Sequence, residues 1–462
     1  MPLPIQTHTY IDSHWPAHLA RTQEFLRQPS ISAQNIGLRT TADLLRKWLQ
    51  ERGARVEYFG KEAAPILFAE WNVGAPKTLL VYGMYDVQPV DDQVWTTTPF
   101  AAAIWNHPEG GESIVARGAC NSKGPLMAFL HALESLRATS GLPVNIKWTI
   151  EGEEEIGSHS LPEFYQKQKA RLQADAAFEP FWSQYTADSK PNLTLGTKGV
   201  MGIEFTCRSG EWGGPRDVIH SSLGLWVGSP AWRLVQALST LINEHQQLTV
   251  DGIPALAPIE PDDEALLVKL AADFNPSETL ARLGTARFKR DLSPLELLRQ
   301  LEFAPVLNIN GLQSGYHGEG SHTIIAPEAR ALCDVRLPPG FKVQETFDAI
   351  REHLARHGFG DIEMKMDSGY PAAKTPLAAE VVQALIATYH AHGFEPAIRP
   401  MEASATPYYL FTEVLGLPFA WGGLGSASGS HGPDEWCSVE GLKALEKSAA
   451  TFLTEFAERT VL

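Results

Sequence analysis

Apolar and polar positions change their spacing several times along the chain. Ala42–Glu51 places Ala42, Leu45, Trp48 and Leu49 at helical intervals, and Arg55–Phe59 reads as a strand. Lys77–Tyr82 (KTLLVY) is a short apolar run of the kind that forms a buried strand. Pro125–Leu136 predicts a helix, and Val144–Ile150 and Ala174–Phe178 predict strands. Strands alternating with helices predict an α/β layer built on a mainly parallel sheet.

The texture changes near Thr197. Val200–Arg208 reads as a strand and Pro230–His245 as a long helix, with short helical patterns and loops to about residue 305. Thr323–Arg336 is strand-like and Phe341–His357 helical, and the first texture returns near Ser368–Pro376. This order predicts an α/β catalytic domain in two parts, residues 1–197 and 369–462, interrupted by an inserted α+β domain at residues 198–368.

The 462 residues suit two or three domains at roughly 150 residues each. An apolar share of 44% and a charged share of 20% exclude a mainly disordered chain and a coiled coil. No apolar run reaches the roughly 18 residues that span a bilayer, so no membrane partner is expected. The net charge of −16 repels phosphate backbones and argues against nucleic acid. The opening MPLPIQTHTYIDSHWP lacks the charged and apolar regions of a secretory signal. Cys120, Cys207, Cys333 and Cys437 form no CxxC pair, so reduced thiols and a cytoplasmic location are expected.

Three polar loops follow predicted strands: GMYDVQP at 83–89, EGEEEIGS at 151–158 and FEPFW at 178–182. Open parallel sheets bind ligands beyond the carboxyl ends of their strands, so these loops mark a site. RGACNSKG at 117–124 opens a helix, and GSHGPDEW at 429–436 is a fifth loop. An EEE run by itself is a solvated turn. Crowded at a sheet edge, such carboxylates need a cation or a retained proton, and either serves catalysis. Individually, His431 and His220 read as surface histidines, Asp86 as a turn cap and Lys123 as a local counter-charge. Cys120 near a helix start is a weak candidate nucleophile beside the simpler reading of a buried thiol.

Together, LLVYGMYDVQPVDD with Trp95, ARGACNSKGP, EGEEEIGS and the RLPPG segment at Arg336 resemble the co-catalytic zinc peptidases and amidohydrolases. That family includes carnosine dipeptidases, aminoacylases, acetylornithine deacetylase, succinyl-diaminopimelate desuccinylase and bacterial glutamate carboxypeptidase. The dipeptidase branch matches best, from about residue 15 to the C-terminus. The resemblance implies amide or peptide hydrolysis, an inserted lid domain and a homodimer. It assigns Glu154 as general base, and Glu155, Glu179 and His431 as metal ligands. Asp86 would orient a histidine ligand, and His220 would stabilise the oxyanion from a neighbouring subunit. Thr323 and Arg336 would hold the carboxylate end of a small substrate.

Two positions depart from the pattern. Met84 stands where the first histidine ligand belongs, and Asn121 where the bridging aspartate belongs. A thioether is a poor partner for zinc beside oxygen ligands, and an amide binds weakly. A two-zinc centre is therefore not expected; the chain should hold no metal, or one weakly bound zinc or manganese with Asn121 as a feeble ligand. Met84 and Ser404, the latter in EASATP at 402–407, would reshape the substrate pocket, with Lys123 a candidate electrophile. Three readings stay open: a hydrolase of a dipeptide or N-acyl amino acid with a weakened or absent metal, a metal-independent elimination, isomerisation or deamination, and a non-catalytic binder.

Overall fold

A computed structural model describes residues 4–91 and 93–459. Met1–Leu3 of the N-terminal segment, Asp92 of the DVQPVDD motif and residues 460–462 lie outside the described residues. The chain divides into two units: Met1–Leu195 with Thr375–Ile398 and Leu410–Leu462, and Gly196–Lys374 with Arg399–Tyr409.

The first unit is an α/β layer. Helix α1 (Ile5–Arg27) buries Thr7, Ile11, Trp15, His18, Thr22, Phe25 and Leu26, a single stripe at three- and four-residue spacing. Helix α2 (Leu38–Glu51) follows. The main strands are β1 (Arg55–Gly60), β2 (Pro65–Trp71), β3 (Thr78–Met84), β4 (Asn145–Glu151), β5 (Ala176–Pro180) and β6 (Phe419–Gly422). They lie in the order β1-β2-β4-β3-β5-β6. The two pairings from β1 to β4 are antiparallel, and β4/β3, β3/β5 and β5/β6 are parallel. The parallel part is fully covered, and β3 buries Leu79, Leu80, Val81 and Tyr82. Helix α3 (Lys123–Ala138) is buried along most of its length and packs on α1 and on α5 (Val439–Glu458), with α4 (Glu380–Ala391) against α5.

Topology places the chemistry. β4 lies on one side of β3 and β5 on the other, so a crevice opens at their carboxyl ends. In the parallel register Met84 pairs with Glu151, which puts the loops after β3 and β4 side by side. Gly152 permits this approach, because a Cβ there would lie 2.3 Å from the Tyr85 ring.

The second unit is α+β. Its strands run in the order Val306–Ser314, Glu328–Leu337, Gly196–Arg208, Glu363–Tyr370, all antiparallel. Ala329, Ala331, Cys333, Val335 and Leu337 alternate inward and share one core with Phe205, Leu234, Leu238, Phe347 and Ile350 of the neighbouring strand and helices. Helices Pro261–Asp273, Pro276–Leu283 and Pro294–Phe303 each start on proline, whose missing N–H would be unbonded there in any case.

Some boundaries differ from the expected ones. The helix starting at Pro230 ends at Thr240, because the Asn243 side chain accepts from the N–H groups of His245 and Gln247 and turns the chain. The stretch expected over Thr323–Arg336 is two strands, Ile324–Ile325 and Glu328–Leu337, interrupted at Pro327, which lacks an N–H to pair. Arg399–Tyr409 lies in the second unit because Glu402–Ala405 pairs with Gly196–Arg208.

Candidate active site

The carboxyl ends of β3, β4 and β5 carry Asp86, Glu151, Glu153, Glu154, Glu155 and Glu179. Like charges so close need partners, and most have one. Asp86 is buried, and its two oxygens accept the backbone N–H groups of Glu154 at 3.2 Å and Glu155 at 3.0 Å. Burial pushes the Asp86 carboxyl up to about 7, against the pull of these N–H donors. Glu151 accepts from Tyr82 Oη at 2.7 Å and Ser158 Oγ at 2.8 Å, and burial raises it to about 8. Glu153 pairs with Lys61.

Glu155 is the best-connected member. Its Oε2 accepts from Gln88 Nε2 at 2.7 Å and lies 3.2 Å from His431 Nε2. Asn121 Nδ2 donates to Glu155 Oε1 at 2.8 Å and lies 3.1 Å from His431 Nε2. Glu155 raises the proton affinity of His431, chiefly through this hydrogen bond. His431 sits in the hairpin between Ala427–Ser428 and Trp436–Ser438 with a φ of +66°, a left-handed conformation uncommon for a non-glycine residue. Glu154 is raised well above the usual carboxylate range by burial first, then by the charges of Glu155, Glu151, Asp86 and Glu179. Glu179 is buried in β5, paired across to Trp421, and Met84 is buried at the end of β3.

Two residues not singled out from the sequence brace this cluster. Glu435 and Arg117 form a buried ion pair at 2.8 Å. The other Glu435 oxygen accepts the N–H groups of Cys120 at 2.9 Å and Asn121 at 2.8 Å. The signal was present, since Arg117 stands in RGACNSKG and Glu435 in GSHGPDEW. Opposite charges in two motifs of one site invite pairing.

Other candidates stand apart. Lys123 is fully buried on α3, its amine bonded to the Gln28 carbonyl at 2.5 Å and set over the Phe25 ring at 4.8 Å; burial lowers it to about 7. Cys120 is buried, accepts from Ser430 Oγ at 3.2 Å and is pushed up to about 12, so its thiol is held protonated. His220, Thr323, Arg336 and Ser404 belong to the second unit. There His220 Nδ1 accepts the Ser222 N–H at 3.2 Å, and its Nε2 lies 3.1 Å from Thr323 Oγ1, with both residues exposed. Arg336 donates to Asp334 at 2.9 Å, and Ser404 is exposed on the strand Glu402–Ala405.

The donor chemistry suits a divalent cation at one place. Glu155 and His431 offer a carboxylate and an imidazole 3.2 Å apart, and Asn121 lies within hydrogen-bonding distance of both. Met84 and Asn121 offer a thioether and a neutral amide, which do not complete a second set.

A family model described as Peptidase family M20/M25/M40 matches residues 80–455. The chain belongs to this family. M20 relatives include the Beta-Ala-His dipeptidases of Mus musculus and Homo sapiens. The mouse enzyme is 28% identical over 320 residues, 66% of this chain and 62% of that enzyme, so this match spans less than two thirds of the relative. The human enzyme is 26% identical over 487 residues, 97% of this chain and 92% of its own. An M20 family metallo-carboxypeptidase from Sulfolobus solfataricus has a similar structure, with a TM-score of 0.87 and 31% identity, covering 95% of this chain and 99% of its own. M20 membership places the chain among the peptide hydrolases and agrees with the α/β fold expected from the sequence. No helix among the described residues is long and apolar enough to cross a membrane.

Proposed function

We propose that this M20 chain hydrolyses the amide bond of a dipeptide or N-acyl amino acid with a free carboxylate, Glu154 acting as general base. The observation that carries the reading is the grip of Asp86 on two successive peptide N–H groups, which fixes the backbone of Glu154 and Glu155 together. A carboxyl in such acidic, buried surroundings holds a proton more tightly than an exposed one, which suits a group that takes a proton from water and returns it to the leaving amine. The dipeptidase names of the relatives support the substrate class.

Glu155 and His431 would hold one divalent cation, zinc or manganese, with Asn121 as a weak third donor, while Glu179 belongs to the other metal position. When bound, such an ion polarises the scissile carbonyl. The rest of the chemistry falls to the protein. Asn121 donates a hydrogen bond to Glu155 and lies beside His431, and Asp86 keeps the glutamate pair in place. His220 would steady the oxyanion, supplied by a second copy in a homodimer, Arg336 and Thr323 would hold the carboxylate end of the substrate, and Ser404 would narrow the pocket. Support for self-association is an apolar surface in the second unit, where Leu225, Trp226 and Trp232 are 98%, 87% and 69% exposed.

The test joins metal content by elemental mass spectrometry to turnover of a dipeptide panel, before and after chelation. About one equivalent of zinc or manganese with chelator-sensitive hydrolysis is expected. Met84→His with Asn121→Asp should add a second equivalent. A double variant that folds and takes up no additional metal refutes the weakened-centre part of the reading. Turnover without oxygen from labelled water entering the product would transfer Glu154 to a proton-shuttling reaction of another type.

A further inference from the structure

Outside the carboxylate cluster, helices α1, α3 and α5 bring three side chains together in the interior of the first unit. His18, His131 and Glu446 are 1%, 1% and 0% exposed. One potential ligand atom from each lies within 4.8 Å of the others. His18 Nδ1 is 2.9 Å from Glu446 Oε1, and the two imidazoles stack with centroids 4.4 Å apart. Ser135 Oγ also reaches Glu446 Oε1, at 3.3 Å.

The hydrogen bonds of this group are incomplete. His131 Nε2 and Glu446 Oε2 are both buried without a partner. A buried polar atom left unpaired costs roughly 1–3 kcal/mol, so two in one small cluster call for an occupant that satisfies both. Arg21 and Arg52 do not fill the role, because both are held on Glu134, at 3.0 and 2.5 Å. A single occupant with several open coordination positions would use an imidazole lone pair and a carboxylate oxygen at once.

We propose that His18, His131 and Glu446 form a structural site for one zinc-type divalent cation that fastens α1, α3 and α5 to one another. Two imidazoles and a carboxylate are a ligand set that zinc takes in fourfold coordination, with a hydroxyl or a water completing it. The site is closed to solvent, so its role is stability and not turnover. Imidazole and carboxylate ligands bind a cation in their deprotonated forms, so affinity falls as the pH is lowered.

The test uses the full chain carrying Glu155→Gln and His431→Ala, which silences the candidate active-site donors. This protein should retain about one equivalent of zinc, and zinc should raise its Tm by several degrees relative to the chelated form. Adding His131→Gln, or Glu446→Gln in its place, should abolish both the bound zinc and the zinc-dependent rise. If neither variant folds, crystals of the unsubstituted protein grown with zinc decide the matter by anomalous scattering at the zinc edge. A peak between the three side chains supports the site. A featureless map there, zinc retained by both variants, or a background protein that takes up no zinc overturns it and leaves an internal water as the occupant.

Discussion

Arg117 and Glu435 in the first unit pair at 2.8 Å with each side chain 1% exposed, whereas Arg208 and Glu328 in the second unit pair at 2.7 Å with 43% and 35% exposed. The same two kinds of charge do different work in the two settings. The buried pair anchors the peptide N–H groups of Cys120 and Asn121 and so holds a loop of the candidate site. The surface pair spans neighbouring strands in water, where such pairs contribute little. Apolar residues show the reverse contrast. Trp148 and Phe129 of the first unit are enclosed, while Leu225 and Trp226 of the second stand in solvent. The contrast is between a charge pair held inside one unit and apolar side chains left in solvent on the other.

The strongest way to break this comparison is at Glu154. Glu154→Gln should lower kcat by about 10²–10⁴-fold, the usual worth of a general base, with an unchanged circular dichroism spectrum. Retained turnover would remove Glu154 from the chemistry. Next comes Arg117→Ala, which leaves Glu435 as an uncompensated buried charge. A loss of about 3–5 kcal/mol in urea unfolding is expected. A loss under 1 kcal/mol would mean that the pair does not brace the loop.

The second unit has its own buried carboxyl, and it sharpens the contrast. Glu302 is fully buried, pairs with Arg399 at 3.2 Å, and is pushed up to about 7 by burial, from an ordinary 4.5. A raised folded value means that the folded state holds the proton more tightly than the unfolded chain. Its contribution is therefore complete below pH 4.5 and is lost as the pH rises to about 7. Glu302→Gln should flatten that part of the stability profile, read as the denaturation midpoint between pH 4.5 and 7. Parallel profiles for the two proteins would show that Glu302 does not titrate in this range. The smallest effect belongs to Arg208→Ala, at about 0–1 kcal/mol. A value near that of Arg117→Ala would erase the distinction between the two pairs.

The sequence showed the parallel layer because buried strands such as Lys77–Tyr82 are short apolar runs bounded by polar loops. It also showed the loops that carry Asp86, Glu154 and Glu155, because each follows such a run, whereas His431 stood out only through the family resemblance. It concealed α1, whose buried stripe contains Thr7, His18 and Thr22 and so does not read as apolar. It concealed the direction of Lys123, because a lysine beside a candidate site gives no hint that its amine turns inward to backbone carbonyls. Likewise the exchange of Arg399–Tyr409 into the second unit depends on strand pairing between residues some two hundred positions apart, which no local pattern records.

Phe178 of β5 stacks on Phe452 of α5 with centroids 4.0 Å apart. One of these rings is made long before the other. At roughly 5–20 residues per second, the ribosome needs on the order of ten to fifty seconds to travel between them. During that interval most of the second unit has already emerged, while the sheet of the first lacks β6 and the last helix. The nascent chain thus carries an uncovered apolar face for most of its synthesis. A stop codon between β5 and α5 would release a protein whose candidate active-site glutamates are present but whose supporting layer was never finished.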